Sequence, residues 1–333
     1  MRFLGEKFAN IIFFSYLCMA NYVHNYFLIN NTIMKEQDKP LVSISIITYN
    51  SAATIVELLE SAKSQTYPRL ELIISDDASK DSTVSVCEDW LRLNGSRFER
   101  YEIVRVEKNT GISANFNRAV AACTGEWIKA MGGDDLFLPK SIESYVRYVT
   151  QHPDAVYVFS RQIQFSGDGA ARTITPSPIR YEFFEWPMEE QYRYLIFERD
   201  EVPAPTLFFN RAGAAKIGIK CDERIPMMED WAKWVNLLKA GVRLHFVDEE
   251  LVMYRVSEQS MSTSPQKAEA FQKARAQFFL YYRYDEVKKV NRASAFCAYV
   301  SCKYIVTNKW WWGALKQVLD VLVKLKTSIQ KSH

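Results

Sequence analysis

From Leu41 onward, short β-branched runs alternate with stretches of helical periodicity, and this alternation restricts the possible folds more than any other feature of the chain. Residues 41–48 (LVSISIIT) form an apolar, β-branched run that predicts a strand. Ile55, Leu58, Leu59 and Ala62 then share one helical face, and Tyr67-Pro68 breaks the pattern before a second strand at residues 70–75 (LELIIS). "DDASKDST" leads into a helix reaching about Leu93. A third strand is expected at residues 102–106, a helix from about Ser113 to Cys123, and a fourth strand at residues 126–131 (EWIKAM). Alternation at this pitch means βαβ units, hence an α/β fold with a mainly parallel sheet flanked by helices. In such sheets ligands bind beyond the carboxyl ends of the strands, so the residues just after each strand are the ones to read for function.

Those residues are polar. Thr48, Tyr49 and Asn50 follow the first strand, Asp76 and Asp77 the second, and Gly132, Gly133, Asp134 and Asp135 the fourth. Acidic pairs at neighbouring strand ends repel each other, and a bound cation offsets that cost. Hard ions such as Mg²⁺ or Mn²⁺ take carboxylate oxygens, and Mg²⁺ commonly combines one or two carboxylates with substrate phosphates. Asp76, Asp77 and Ser79 could instead simply cap the following helix. The second pair favours a metal–nucleotide site.

Other chemistries lack their motifs. The chain has no GxGxxG after the first strand, no GxxxxGK[ST] phosphate loop, no GxSxG elbow and no HExxH. His152, before Pro153, reads as a helix C-cap, and His245 in "RLHFVD" as a packed strand residue. The net charge of +3, from 42 basic and 39 acidic residues, gives no global nucleic-acid signature. Six scattered cysteines without a CxxC pair argue against zinc and for buried thiols in a reducing compartment.

The two ends differ from the middle. Residues 8–34 carry no charged side chain, and Phe8 to Ile29 is long enough to span a bilayer, although Asn10, Ser15, Asn21, His24 and Asn25 interrupt it. Residues 1–39 therefore read as an apolar extension: a membrane anchor, a cleaved signal, or a mis-assigned start upstream of Met34. At the other end Leu315, Val318, Leu322, Leu325 and Ile329 step along one helical face. Lysines surround that stripe, and Trp310, Trp311 and Trp312 precede it, as in a basic helix lying on an anionic membrane. A helix packed on the protein's own core is the alternative.

Five stretches in order, "SIITYN", "SAKSQTYPRLELIISDDASKDST", "NTGISANFNRAVAACTGEWIKAMGGDDLFLP", "MMEDWAKWVNLLKAG" and "YRVSEQSMS", resemble the inverting family 2 glycosyltransferases of the GT-A fold, of bacterial surface-polysaccharide type. The resemblance covers about Val42 to Ser262. It implies a catalytic domain at residues 40–262, with a nucleotide-binding half (40–135) and an acceptor and base half (136–262), followed by a helical appendage at 263–333. It implies a nucleoside-diphosphate sugar donor, by expectation a uridine one, and Mn²⁺ or Mg²⁺ as cofactor. Thr48, Tyr49, Asn50 and Asn109 would line the donor pocket, Asp77 would bind the base, Asp134 the ribose, and Asp135 the metal. Gly111, Asn115 and Asn117 also match the pattern, while Gly133 stands where many relatives carry an acidic residue. Asp230 in "MEDW" would be the catalytic base, and Arg255, with Ser260 and Ser262, would close on the diphosphate. Taken without the resemblance, Glu229 and Asp230 are also what a helix N-terminus favours.

The stretch from about Arg161 to Pro205 departs from the pattern. Its Tyr181, Phe183, Phe184 and Trp186 either stack on an acceptor sugar or pin a long loop as a hydrophobic cluster. The implied acceptor is a glycan or polyprenyl-linked sugar, and the implied place is the cytoplasm, peripheral at the inner face of the plasma membrane. A sugar-1-phosphate nucleotidyltransferase is the alternative enzyme, but it would open with a glycine-rich basic loop where this chain has "TYNSAAT". A catalytically silent nucleotide-binding domain is the other alternative.

Overall fold

Strand β1 (Val42–Thr48) is buried along nearly its whole length, as its unbroken apolar run demands for a central strand covered on both faces. Its parallel neighbours are β2 (Leu70–Asp76) and β4 (Trp127–Gly132), and β3 (Arg100–Arg105) extends the sheet beyond β2. The connecting helices are α1 (Ile55–Lys63), α2 (Thr83–Asn94) and α3 (Ile112–Ala122). Ile55, Leu58, Leu59 and Ala62 are the buried face of α1, as the periodicity requires. In the register Thr48 sits opposite Asp76 and Ile47 opposite Gly132, so three strands end level and present their following residues on one rim. The computed structural model describes residues 39–167, 172–256 and 268–331. The apolar N-terminal segment, Ser260 and Ser262 lie outside them, as do the side chains beyond Asp320.

The second half of the sheet is mixed. After β5 (Leu136–Phe137) and α4 (Ser141–Gln151), the chain forms β6 (Tyr157–Ser166), β7 (Thr173–Pro176), α5 (Met188–Phe197), β8 (Phe208–Asn210), α6 (Arg211–Ile217), α7 (Glu229–Lys239) and β9 (Leu244–Arg255). The sheet order is β3-β2-β1-β4-β8-β6-β9-β5, with β7 beside β6. β8 runs antiparallel to β4 and β6, and β5 antiparallel to β9. The sheet is mainly parallel on the nucleotide side, as expected, and β5 and β8 are too short for a periodic signal to have placed the antiparallel pairs.

The aromatics of the Arg161–Pro205 region pack inward. Phe183 and Phe184 are buried, Phe184 stacks on Phe246 at 4.6 Å between centroids, and Trp186 meets Tyr194 at 5.2 Å. They pin the loop, and the buried Phe183 and Phe184 offer no sugar platform. His152 caps α4, with Nδ1 2.9 Å from the Tyr148 carbonyl, and His245 is buried beside both rings. The described cysteines, Cys87, Cys123, Cys221, Cys297 and Cys302, are free thiols.

Four C-terminal helices follow: α8 (Ala268–Phe278), α9 (Tyr284–Val290), α10 (Arg292–Thr307) and α11 (Trp310–Lys331). They belong to the same compact unit as the sheet, which runs from Leu41 to His333. Phe278 of α8 packs on Trp231 of α7 at 4.7 Å, and Tyr282 donates to Asp222 at 2.7 Å. Among the described residues no helix is long and apolar enough to cross a membrane.

Candidate active site

The level strand ends are tied together by side chains. Asp77 follows β2, is 2% exposed, and accepts from the backbone N–H of Thr110 (3.0 Å) and Gly111 (2.7 Å), the Thr110 hydroxyl (2.6 Å) and Arg118 Nη2 (2.9 Å). Burial alone would raise this carboxyl, but the Thr110 and Gly111 hydrogen bonds and the Arg118 guanidinium outweigh it and hold it below the usual carboxylate range. Asp77 therefore fixes the loop that starts α3, where Gly111 takes a left-handed φ of 90°. Asn109 accepts from the Gly111 N–H at 3.1 Å in the same loop. Asp76 and Ser79 form a local turn rather than a helix cap: the Ser79 N–H donates to Asp76 at 2.9 Å, while Asp81 accepts from the Thr83 N–H at the start of α2. Thr48 donates to Asp76 at 3.0 Å. Asn50 accepts from the Lys80 N–H at 2.7 Å, and Tyr49 is 48% exposed beside it.

α3 then sets the second half of the site. Asn115 donates to the Thr48 carbonyl at 3.2 Å, and Asn117 exchanges hydrogen bonds with the Cys221 backbone at 3.0 and 3.1 Å. These contacts hold the segment leading into α7 against the nucleotide-side strands. A cavity of about 300 Å³ opens between them. Gly132, Asp134 and Asp135 line one side, Glu229, Asp230, Lys233 and Trp234 of α7 another, with Ile112 and Phe116 of α3, Pro205 and Tyr254 completing the wall.

Of the residues expected from sequence, Asp134, Asp135 and Asp230 meet in this cavity. Thr48, Tyr49, Asn50, Asp77 and Asn109 lie on the adjoining rim. Arg255 is buried at the end of β9, where its backbone N–H donates to Asp135 at 2.9 Å, its Nε to the Asp134 carbonyl at 2.9 Å, and its guanidinium pairs with Glu57 and stacks over Phe165. The Gly133 exception has a steric cause. A Cβ there would fall 2.7 Å from Ser51 Oγ and 3.2 Å from Thr48 Cγ2, so Ser51 fills the space a larger residue would need.

The site is acidic, and its carboxyls are buried. Burial, then the Asp134 charge, holds the Asp135 carboxyl well above its ordinary range. Burial raises Asp230 as well, and outweighs the backbone N–H groups beside it, among them that of Trp231 at 2.7 Å. Burial and then Asp230 push Glu229 up to about 8 and raise Asp200 well above its ordinary value. Tyr254, which also lines the cavity, is pushed up to about 12, by burial first and then by Asp135, Asp134 and Asp230.

A divalent cation fits the Asp134 and Asp135 end. A Cβ on Gly132 would lie 3.1 Å from Asp134 Oδ1 and 3.7 Å from Asp135 Oδ2, so both carboxylates turn towards the same face of the strand end. Two carboxylates with phosphate oxygens make an ordinary Mg²⁺ or Mn²⁺ donor set, and a cation would relieve the cost of ionising the buried Asp135. No group of three or more His, Cys, Asp or Glu side chains able to hold a metal occurs among the described residues.

Sequence reasoning passed over Glu57, Asp200 and Lys129, and mentioned Glu229 only as a helix-start acid. Lys129 is fully buried in β4 and donates to the Pro205 carbonyl at 2.7 Å, holding the cavity wall. Its one signal was a lysine inside a predicted strand. Lys233 had a comparable signal, a cation on the apolar side of a helix.

Comparisons with known proteins identify the family and the fold. Residues 43–215, just over half of the chain, match the profile of Glycosyl transferase family 2. The putative teichuronic acid biosynthesis glycosyltransferase TuaG of Bacillus subtilis is 24% identical over 78% of this chain and 95% of its own. The Escherichia coli UDP-Glc:alpha-D-GlcNAc-diphosphoundecaprenol beta-1,3-glucosyltransferase WfaP is 26% identical over 67% of this chain and 80% of its own. Among solved structures, S. aureus TarS 1-349 in complex with UDP-GlcNAc superposes with a TM-score of 0.55 at 17% identity, over 79% of this chain and 72% of that one. The mannosyltransferase PcManGT of Pyrobaculum calidifontis, in complex with GDP-Man and Mn²⁺, gives 0.53 at 16% identity over 92% and 87%. With its GT-A fold and this extent of match, the chain belongs to glycosyltransferase family 2.

Proposed function

We propose that this glycosyltransferase moves a sugar from a UDP donor, with inversion and with a divalent cation bound, to a hydroxyl of a glycan or polyprenyl-linked acceptor in surface-polysaccharide assembly. One observation carries the reading: a single cavity has Asp134 and Asp135 at one end and Asp230 at another. The carboxylates of Asp134 and Asp135 would hold Mn²⁺ or Mg²⁺, with Asp134 also on the ribose side; the bound ion would supply neutralisation of charge on the leaving diphosphate. Thr48, Tyr49, Asn50 and Asn109 frame the base side, where the base edge competes with the Thr110 hydroxyl for Asp77. Arg255 supports the diphosphate side by holding Asp134 and Asp135 in place, and a direct contact would need its guanidinium to leave Glu57.

Asp230 takes the proton of the acceptor hydroxyl as that oxygen bonds to the anomeric carbon and the bond from that carbon to the diphosphate oxygen breaks. Burial raises Asp230 and so makes its carboxylate a stronger base than an exposed aspartate. The donor identity and acceptor class also draw on the complex of TarS with UDP-GlcNAc and on the name of WfaP.

The test uses thermal stabilisation and transfer activity together. UDP should stabilise the chain in the presence of Mn²⁺, Asp135→Asn should abolish that effect, and Asp230→Asn should keep it while losing about 10²–10⁴-fold in kcat. Full activity in Asp230→Asn would sink the base assignment, and stabilisation by another diphosphate but not UDP would replace the donor.

We place the enzyme peripherally at an anionic membrane surface through α11. Trp310 is 77% and Trp311 47% exposed, Val318 is 55% exposed, and Lys309 lies 5.0 Å from the Trp311 ring. Co-sedimentation with phosphatidylglycerol vesicles should fall several-fold when both tryptophans become serine. Equal binding by the double variant would refute this placement.

A further inference from the structure

Lys233 is a buried amine with no ion-paired carboxylate among the described residues; burial lowers its pKa, and an anion bound beside it would restore the charge. It is 4% exposed and lines the cavity. Its Nζ instead lies within a ring of aromatics: Phe116 at 4.5 Å, Phe209 at 5.1 Å, Tyr157 at 5.5 Å and Trp234 at 5.7 Å from the centroids. Aromatic faces offset part of the desolvation cost of an ammonium, but they accept no strong hydrogen bond. The nearest acid on the same helix face is Glu229, one turn earlier, and its Oε2 is buried with no partner. Trp234 Nε1 is likewise buried with no acceptor. A donor set of this kind, an ammonium, an indole N–H and a carboxyl, surrounds a cavity wall that is otherwise apolar at Ile112, Met131 and Leu207.

We propose that Lys233 is the specificity residue for the donor's sugar, and that it selects a ring bearing a carboxylate, a hexuronic acid. This rests on the donor reading given above, since it places the sugar between Asp134 and Asp135 on one side and Asp230 on the other. The ring carboxylate pairs with Lys233, and the pair remains caged by the same aromatic faces. Glu229 does not oppose it: burial and the Asp230 charge keep its carboxyl proton in place up to about pH 8, so it can donate to a ring oxygen. A neutral hexose would offer only hydroxyl oxygens, which accept from the ammonium without neutralising its charge.

The experiment measures dissociation constants of the full chain, with Mn²⁺, for UDP, UDP-glucose, UDP-N-acetylglucosamine, UDP-glucuronic acid and UDP-galacturonic acid. The same panel is run on Lys233→Met and Lys233→Gln. The ratio of neutral to acidic donor is read within each protein, so a general weakening of binding cancels, and thermal melts check that each variant is folded. At least one uronic donor should bind about tenfold or more tighter than the neutral sugars, as a charge-assisted pair with a buried amine provides, and the ratio should collapse in both variants. UDP binding without acidic preference, or a preference that survives both substitutions, overturns this inference and leaves the donor reading intact. Absence of UDP binding by the wild-type chain overturns the donor reading and this inference with it.

Discussion

Replacing Asp77 by asparagine probes whether the strand-end rim is held by charge. Asp77 accepts at both oxygens: Gly111 N–H on Oδ2 at 2.7 Å, and the Thr110 hydroxyl and Arg118 on Oδ1 at 2.6 and 2.9 Å. An amide must turn its NH₂ towards one of these donor groups and loses the charge that pairs with Arg118. Asp77 itself is 2% exposed and the Arg118 side chain 21%, so water replaces only part of what is lost. Breaking a buried pair of this kind costs about 3–5 kcal/mol. In a unit of this size each kcal/mol moves Tm by about 2 °C, so the variant should melt about 6–10 °C lower at pH 7. The assay is calorimetry of wild type and variant across pH. Because the folded carboxyl titrates below its unfolded value, its contribution is present above the unfolded pKa and is lost as pH falls through the folded one. The gap between the two proteins should therefore close in acid. A Tm within 2 °C of wild type at pH 7 would refute the reasoning, roughly matching the 0–1 kcal/mol expected of an exposed pair.

Two other expectations follow from the cavity. Glu229 is raised to about 8 in the folded chain, so the folded state holds a proton the unfolded state gives up, and stability falls as pH rises from about 4 to 8. Glu229→Gln should flatten that slope and raise Tm at pH 8 more than at pH 5; equal shifts at both would show that Glu229 ionises freely. Gly133→Ala should destabilise by about 1–3 kcal/mol through the clash with Ser51, and Ser51→Gly in the same chain should recover most of it, as read by denaturant unfolding. If the double variant gains nothing, the space around Gly133 is not set by Ser51.

Much of the nucleotide side was legible because its signals are local. Apolar β-branched runs fixed β1, β2 and β4 to within about a residue or two, and an α/β sheet places ligands at strand ends, which is where Asp77, Asp134 and Asp135 stand. β3 was expected two residues late, at 102–106, because Arg100 at its start pairs with the buried Glu71 and does not look like a strand residue. The aromatic cluster at Tyr181 to Trp186 was ambiguous for a different reason. Composition alone does not tell a stacking platform from a packed core, and only the neighbours, Phe159, Phe246 and Tyr194, settle it.

The sequence by itself determined the βαβ order, the acidic strand ends, the family pattern and the absence of rival motifs, since each is a property of residues near one another in the chain. Tertiary structure decided which charges share a space. Asn117 reaches Cys221 across 104 residues, and through that contact α7 comes to face the strand ends. Burial there raises the Glu229 carboxyl and leaves Lys233 among rings, with no ion-paired carboxylate among the described residues. Desolvation depends on everything packed around a group, and no local pattern in the sequence records it.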